Sequence, residues 1–144
     1  MLRMLKYAIY LLSLLCILGP ISLNNKTLEP YKEEVLAIIQ EHCNMFQYNN
    51  PIDQFLYFKR LNDGVVAQCL YSPFFYTIEV DPDYWKHMTE DERFQTMAHE
   101  MTHCTLLLQH VDNPYNYMYY RMVDISKKEV IKQLEKNLKD SCGR

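Results

Sequence analysis

At 144 residues, 49% hydrophobic and 13% aromatic, the chain holds enough apolar material for one packed domain, which excludes a disordered polypeptide and a two-domain enzyme. Three glycines and six prolines exclude collagen-like and low-complexity classes. The formal net charge is −3, and because Arg3 and Lys6 are the only charged residues among the first 23, the remainder carries −5. That balance argues against nucleic acid as a partner, because such binding rests on neutralising phosphates.

Arg3 and Lys6 precede an uncharged Leu- and Ile-rich stretch from Tyr7 to Leu23. Residues 1–23 read as a signal peptide or a signal-anchor, with membrane anchoring through the N-terminal segment as the consequence if it is not removed. The charge lies before the apolar run, so the remaining domain, residues 24–144, is expected outside the cytoplasm, secreted or membrane-anchored. Export bears on Cys43, Cys69, Cys104 and Cys142, an even number that two disulfides can use in any of three pairings.

Further along, Val35, Leu36, Ile38 and Ile39 recur among charged residues from Tyr31 to about Cys43, the pattern of an amphipathic helix. Runs at 55–58 and 65–71 flank the turn signal Asn62-Asp63-Gly64 and read as a β-hairpin. Residues 75–80 read as a third strand, stopped by Asp81-Pro82-Asp83. Thr89 with Glu92 forms a capping box, and Phe94, Met97, Ala98, Met101, Thr102 and Thr105 carry a helical period toward Leu108. Residues 109–123 are Tyr-rich and irregular. Ser126 and Glu129 then open a last helix whose stripe is Val130, Ile131, Leu134 and Leu138. The expected fold class is α+β, a short mostly antiparallel sheet flanked by N- and C-terminal helices.

Chemistry concentrates in His99-Glu100-Met101-Thr102-His103 and in His110 seven residues later. Residues four apart on a helix stand one above the other, so His99 and His103 can aim two imidazoles at one Zn²⁺. Glu100 sits beside that point, placed to take a proton from water there rather than to ligate. A catalytic zinc wants a third protein ligand and an open position. His110 is the nearest candidate, yet on an unbroken helix it would lie about 10 Å beyond His103. The helix must therefore stop near Leu107 and double back. With no glycine to assist, Leu108 or Gln109 is expected to take an unusual backbone conformation, or the last turn to tighten. The plain alternative for His110 is an exposed loop histidine. Asp124 and Glu129 are the fallback third ligands, and Asp112 is a candidate to orient an imidazole.

Taken with Met118 inside Asn116-Tyr117-Met118-Tyr119-Tyr120, these histidines resemble the metzincin clan of zinc metallopeptidases, an extended zinc motif followed by the Met-turn. The chain is especially similar to small bacterial and phage-type proteins assigned as metallopeptidases, which read HExxHC and carry the third histidine one residue later than the clan standard. The likeness runs from about Ile78 to Met122. Leu106 stands where the standard motif has glycine, and Gln109 where it has its third histidine.

The resemblance implies a zincin-like domain, zinc on His99, His103 and His110, and Met118 as an apolar floor beneath them. It further implies Tyr120 as a hydrogen-bond donor to the oxyanion, although Tyr120 can equally be a packing residue. It implies strand 75–80 as the edge along which a peptide or protein substrate lies, although Phe75, Ile78 and Val80 fit a strand buried on both sides equally well. The activity implied is zinc-dependent peptide-bond hydrolysis, with Glu100 as general base. The competing expectation is a catalytically inactive zinc-binding interaction module at a membrane surface.

Overall fold

A computed structural model describes residues 25–44, 53–72 and 75–143. The N-terminal segment expected to direct export or anchoring lies outside the described residues. No helix among the described residues is long and apolar enough to cross a membrane.

The described chain runs α1 (Glu29–His42), β1 (Asp53–Phe58), β2 (Ala67–Tyr71), β3 (Phe75–Val80), α2 (Pro82–Trp85), α3 (Glu90–Leu106) and α4 (Lys127–Cys142), an α+β domain. Capping sets where the longer helices begin. Thr89 Oγ1 accepts from Glu92 N–H while the Glu92 carboxylate accepts from Thr89 N–H, the full reciprocal box that starts α3. Ser126 caps α4 through its hydroxyl. The apolar stripe expected along α3 is buried, and so are Gln95, Glu100 and Cys104, because this helix runs through the middle of the domain against β2, α1 and α4. Val35 and Ile39 of α1, with Val130, Leu134 and Leu138 of α4, close the core on its helical side.

The sheet corrects two expectations. Its order is β1-β3-β2, with β3 parallel to β1 and antiparallel to β2, so it is a mixed sheet rather than a mostly antiparallel one. The turn at Asn62-Asp63-Gly64 does form, with Val65 N–H on the Asn62 carbonyl at 3.0 Å and Gly64 at φ 83°, yet β1 and β2 are not a hairpin. A turn signal dictates a local reversal and leaves open which strand fills the space between its arms. Here β3 fills it, because Tyr76 to Val80 are all buried and a strand covered on both sides belongs at the centre. Its buried carboxylate, Glu79, is satisfied across both ladders by Tyr57 and Gln68, with Lys59 completing the shell. Strand 75–80 is therefore not an edge.

The edge nearest α3 is β2, and its register can be read from two bonds. Ser72 N–H donates to the Phe75 carbonyl at 2.8 Å and Asp81 N–H to the Val66 carbonyl at 2.9 Å, so the even-numbered residues of β2 bond with β3. Ala67, Cys69 and Tyr71 therefore turn their N–H and C=O groups toward the outer edge.

Two disulfides close the domain and choose one pairing from the three open to the sequence: Cys43–Cys142 joins the ends of α1 and α4, and Cys69–Cys104 ties β2 to α3. Both fit an oxidising compartment. The first spans 99 residues of sequence, and closing so long a loop removes about 4.7 kcal/mol of unfolded-state conformational freedom. Replacing Cys43 and Cys142 by alanine should lower the free energy of unfolding by about 2–4 kcal/mol in urea titration, without changing the folded far-ultraviolet dichroism.

Candidate metal centre

The final turns of α3 present His99 and His103 from one face, and the chain beyond brings His110 to them. The helix ends at Leu106, and Leu107 caps it in the left-handed region at φ 55°, ψ 26°, the only non-glycine positive φ among the described residues. The reversal needed to reach His110 thus falls at Leu107, one residue before Leu108, the nearer of the two positions expected to bend. It costs roughly 1–2 kcal/mol of backbone strain in an L-residue. What it achieves is specific: the next carbonyl, that of Leu108, turns back onto His103 Nδ1 at 2.6 Å, and His110 Nε2 arrives 3.1 Å from both His99 Nε2 and His103 Nε2.

The two helix histidines are 3.0 Å apart at Nε2, so three ring nitrogens form a nearly equilateral triangle. The tautomers follow from the partners. His99 Nδ1 lies 2.7 Å from the Tyr117 carbonyl and His103 Nδ1 2.6 Å from that of Leu108; a carbonyl only accepts, so both Nδ1 atoms carry the proton and both Nε2 atoms present lone pairs. Neither can donate to the other across 3.0 Å, and an arrangement of converging lone pairs is stable when a cation sits among them. A tetrahedral ion with bonds of about 2.1 Å holds its nitrogens about 3.4 Å apart, close to the triangle observed. His99, His103 and His110 can therefore hold a metal ion, and the Nδ1–H to carbonyl bonds are the outer support such ligands need.

A single strap organises two of the three. The Tyr117 carbonyl holds His99, and the next carbonyl, that of Met118, accepts Val111 N–H at 3.0 Å and so anchors the loop bearing His110. The strap is itself gripped from α4: Gln133 Oε1 accepts Tyr117 N–H at 3.0 Å, Gln133 Nε2 donates to the Tyr115 carbonyl, and Asn137 Nδ2 donates to the Tyr117 hydroxyl at 3.1 Å. Thr102 of α3 shares that hydroxyl at 3.0 Å. Met118 is buried, in keeping with an apolar floor, but its carbonyl has the more definite task. Beyond the strap, the Gln95 amide pairs with both the N–H and the C=O of Val123, tying the segment after Tyr120 onto α3.

His99, Glu100, His110 and Tyr120 line one cavity of about 350 Å³, walled by Gly64–Ala67, the adjoining face of α3 and Tyr119–Met122. Glu100 is buried, and that burial pushes its carboxyl up to about 7 against the opposing effect of a hydrogen bond from the Cys69 backbone. Burial likewise pushes His99 down to about 4, opposed by its bond to Tyr117 and reinforced by its two neighbouring imidazoles. His103 moves down for the same leading reason. Tyr120 is 55% exposed at the rim, its ring tilted at 52° against Tyr119 with the Arg121 guanidinium 5.2 Å from its centre.

The structure brings His99, His103 and His110 together and leaves the two fallback ligands outside the cluster, Glu129 bonding Gln133 and Asp124 exposed; Asp112, the candidate to orient an imidazole, is an exposed loop residue. Residue pattern missed Tyr117, Gln133 and Cys69. Two of these act through main-chain atoms, which residue type does not encode, and Gln133 reads as an ordinary polar position on an amphipathic helix. Comparison with protein-family models, with curated proteins and with solved structures finds no match to the chain.

Two expected outcomes follow. Leu107→Gly should retain metal affinity and raise stability by about 1 kcal/mol, since Leu107 is 48% exposed and loses little burial, whereas Leu107→Val should lower both stability and metal affinity in thermal melts and metal titrations.

The second concerns acid sensitivity of the metal-free protein. His99, depressed from 6.5 to about 4, stabilises the fold above 6.5 and loses that contribution as pH falls toward 4. Glu100, raised from 4.5 to about 7, works the other way, because its folded form keeps the proton that the unfolded chain releases. Between pH 4.5 and 6.5 the slopes of His99 and Glu100 oppose and nearly cancel each other, and His103, lowered as well, adds to the histidine side. Glu100→Gln should expose the histidine slope, a loss of about 1.4 kcal/mol per pH unit on acidification across that window, read from urea unfolding at stepped pH.

Proposed function

We propose that the protein is a zinc metallopeptidase that hydrolyses peptide bonds outside the cytoplasm. One observation carries the reading: three imidazole nitrogens converge within 3.1 Å of one another, and a buried carboxylate, Glu100, faces the same cavity. An all-imidazole set of three suits zinc with an open fourth position, and the carboxylate adjacent to it is what a hydrolytic centre adds to a structural one. When bound, zinc supplies Lewis acidity that activates water and polarises the scissile carbonyl.

The chain's own residues do the rest. Glu100 accepts the proton of the attacking water and delivers it to the leaving amine. Tyr120, at the rim of the cavity, donates its phenol to the developing oxyanion. An extended substrate pairs along the outer edge of β2, where Ala67 borders the cavity and turns its N–H and C=O outward. The two disulfides agree with a secreted or membrane-anchored location.

The competing reading, an inert zinc-binding interaction module, has no use for a carboxylate at an open position. Incubation with a mixed peptide library, followed by mass spectrometry, separates the two. Glu100→Gln should abolish cleavage, at least about 10²-fold, while metal content stays at one ion per chain. Cleavage by that variant at the parent rate contradicts the mechanism, and zinc bound by a parent that cleaves nothing favours the module. His110→Ala should weaken zinc binding and remove activity together.

A further inference from the structure

Glu100 is buried on α3, and the backbone N–H of Cys69 on β2 favours its charged form against that burial. That N–H is free to do so because of strand register: Cys69 belongs to the odd-numbered set whose main-chain groups point away from β3. The side chain of the same residue is bonded to Cys104, which lies four residues beyond Glu100 and therefore one turn along the same face of α3. One residue of the edge strand thus makes two links to adjacent turns of the helix, a covalent link at Cys104 and a polar one at Glu100. The covalent link fixes where the Cys69 N–H stands, and the N–H fixes where the carboxylate stands. A glutamate side chain has three rotatable bonds, so its helix alone does not determine the position of the carboxyl group.

We propose that Cys69 is the positioning residue for Glu100, with the Cys69–Cys104 disulfide acting as a local clamp that aims the proton acceptor rather than as a general staple of the fold. The catalytic consequence rests on the reading of Glu100 as proton acceptor; the positioning itself does not. Among the described residues β2 has a ladder partner on one side only, so its outer side depends on this clamp to stay against α3. The other disulfide, Cys43–Cys142, joins helix ends far from Glu100 in the chain and serves as the matched control.

The test uses the full chain with Cys69 and Cys104 both replaced by alanine, beside the parent, the Cys43→Ala/Cys142→Ala control and Glu100→Ala. Amide hydrogen exchange is followed at residues 67 to 71. In the parent the residue 69 amide should be protected although it points away from the ladder, and Glu100→Ala should remove that protection. In the Cys69→Ala/Cys104→Ala variant, protection at residue 69 should fall at least about tenfold while residues 68 and 70, bonded to β3, stay within about threefold. The control should leave residue 69 as in the parent. For peptide cleavage, the clamp variant should lose about 10²-fold in kcat at unchanged KM and metal content, the signature of a misplaced group.

Protection at residue 69 that survives loss of the disulfide overturns the proposal, and so does loss at residues 68, 69 and 70 together, which makes the bond a staple of the whole strand. If the alanine pair unfolds, Cys69→Val with Cys104→Ala restores the lost volume and carries the same readouts; unfolding of both pairs also overturns the clamp. A parent that cleaves no peptide defeats the proposed function, while the exchange measurement, which needs no substrate, still decides whether Cys69 holds Glu100.

Discussion

Two imidazoles meeting lone pair to lone pair, with the Nε2 of a third 3.1 Å from both, are the constraint around which the rest of this domain is arranged. With Nδ1 of His99 and of His103 each committed to a backbone carbonyl at 2.6–2.7 Å, their Nε2 atoms cannot relieve one another by hydrogen bonding. Burial depresses the basicity of both rings, so protonation is a poor way out as well. Metal binding resolves the conflict, and the geometry that creates it is built into the backbone.

Each arm of the triangle is held by a different part of the fold. α3 supplies the four-residue spacing of His99 and His103. The left-handed turn at Leu107 supplies the reversal that a continued helix would forbid, and its strain is offset by placing the Leu108 carbonyl on His103. The Tyr117–Met118 strap supplies two consecutive carbonyls, one for His99 and one for the loop of His110, while Gln133 and Asn137 on α4 fix the strap in turn. The C-terminal helix, remote in sequence from the histidines, is thereby an outer support of the centre. Its apolar face packs the core and its polar face orders the site.

What the sequence made legible divides along physical lines. Side-chain periodicity and capping chemistry revealed the three longer helices and the histidines that cluster, because helix period and imidazole are both properties of residue type. The rise per residue alone requires a helix to break before His110 can be reached, and the break occurs beside the position expected. Strand order was not legible. Asn62-Asp63-Gly64 announces a turn, but which strand lies between β1 and β2 depends on long-range burial of Tyr76 to Val80, which no local pattern contains. The edge role expected of 75–80 fell with it and passes to β2. Also hidden were the carbonyls of Leu108, Tyr117 and Met118 and the N–H of Cys69, since every residue type offers those same atoms. The disulfide pairing stayed open for a related reason: cysteines signal oxidation but not proximity.

The central claim is that His99, His103 and His110 share one ion with one position left for solvent. X-ray absorption of the zinc-loaded protein measures that directly. The account predicts three imidazole nitrogens and one oxygen at about 2.0–2.1 Å, falling to two imidazoles in His110→Ala. A first shell with two imidazoles in the parent, or one closed by a fourth protein ligand, contradicts it.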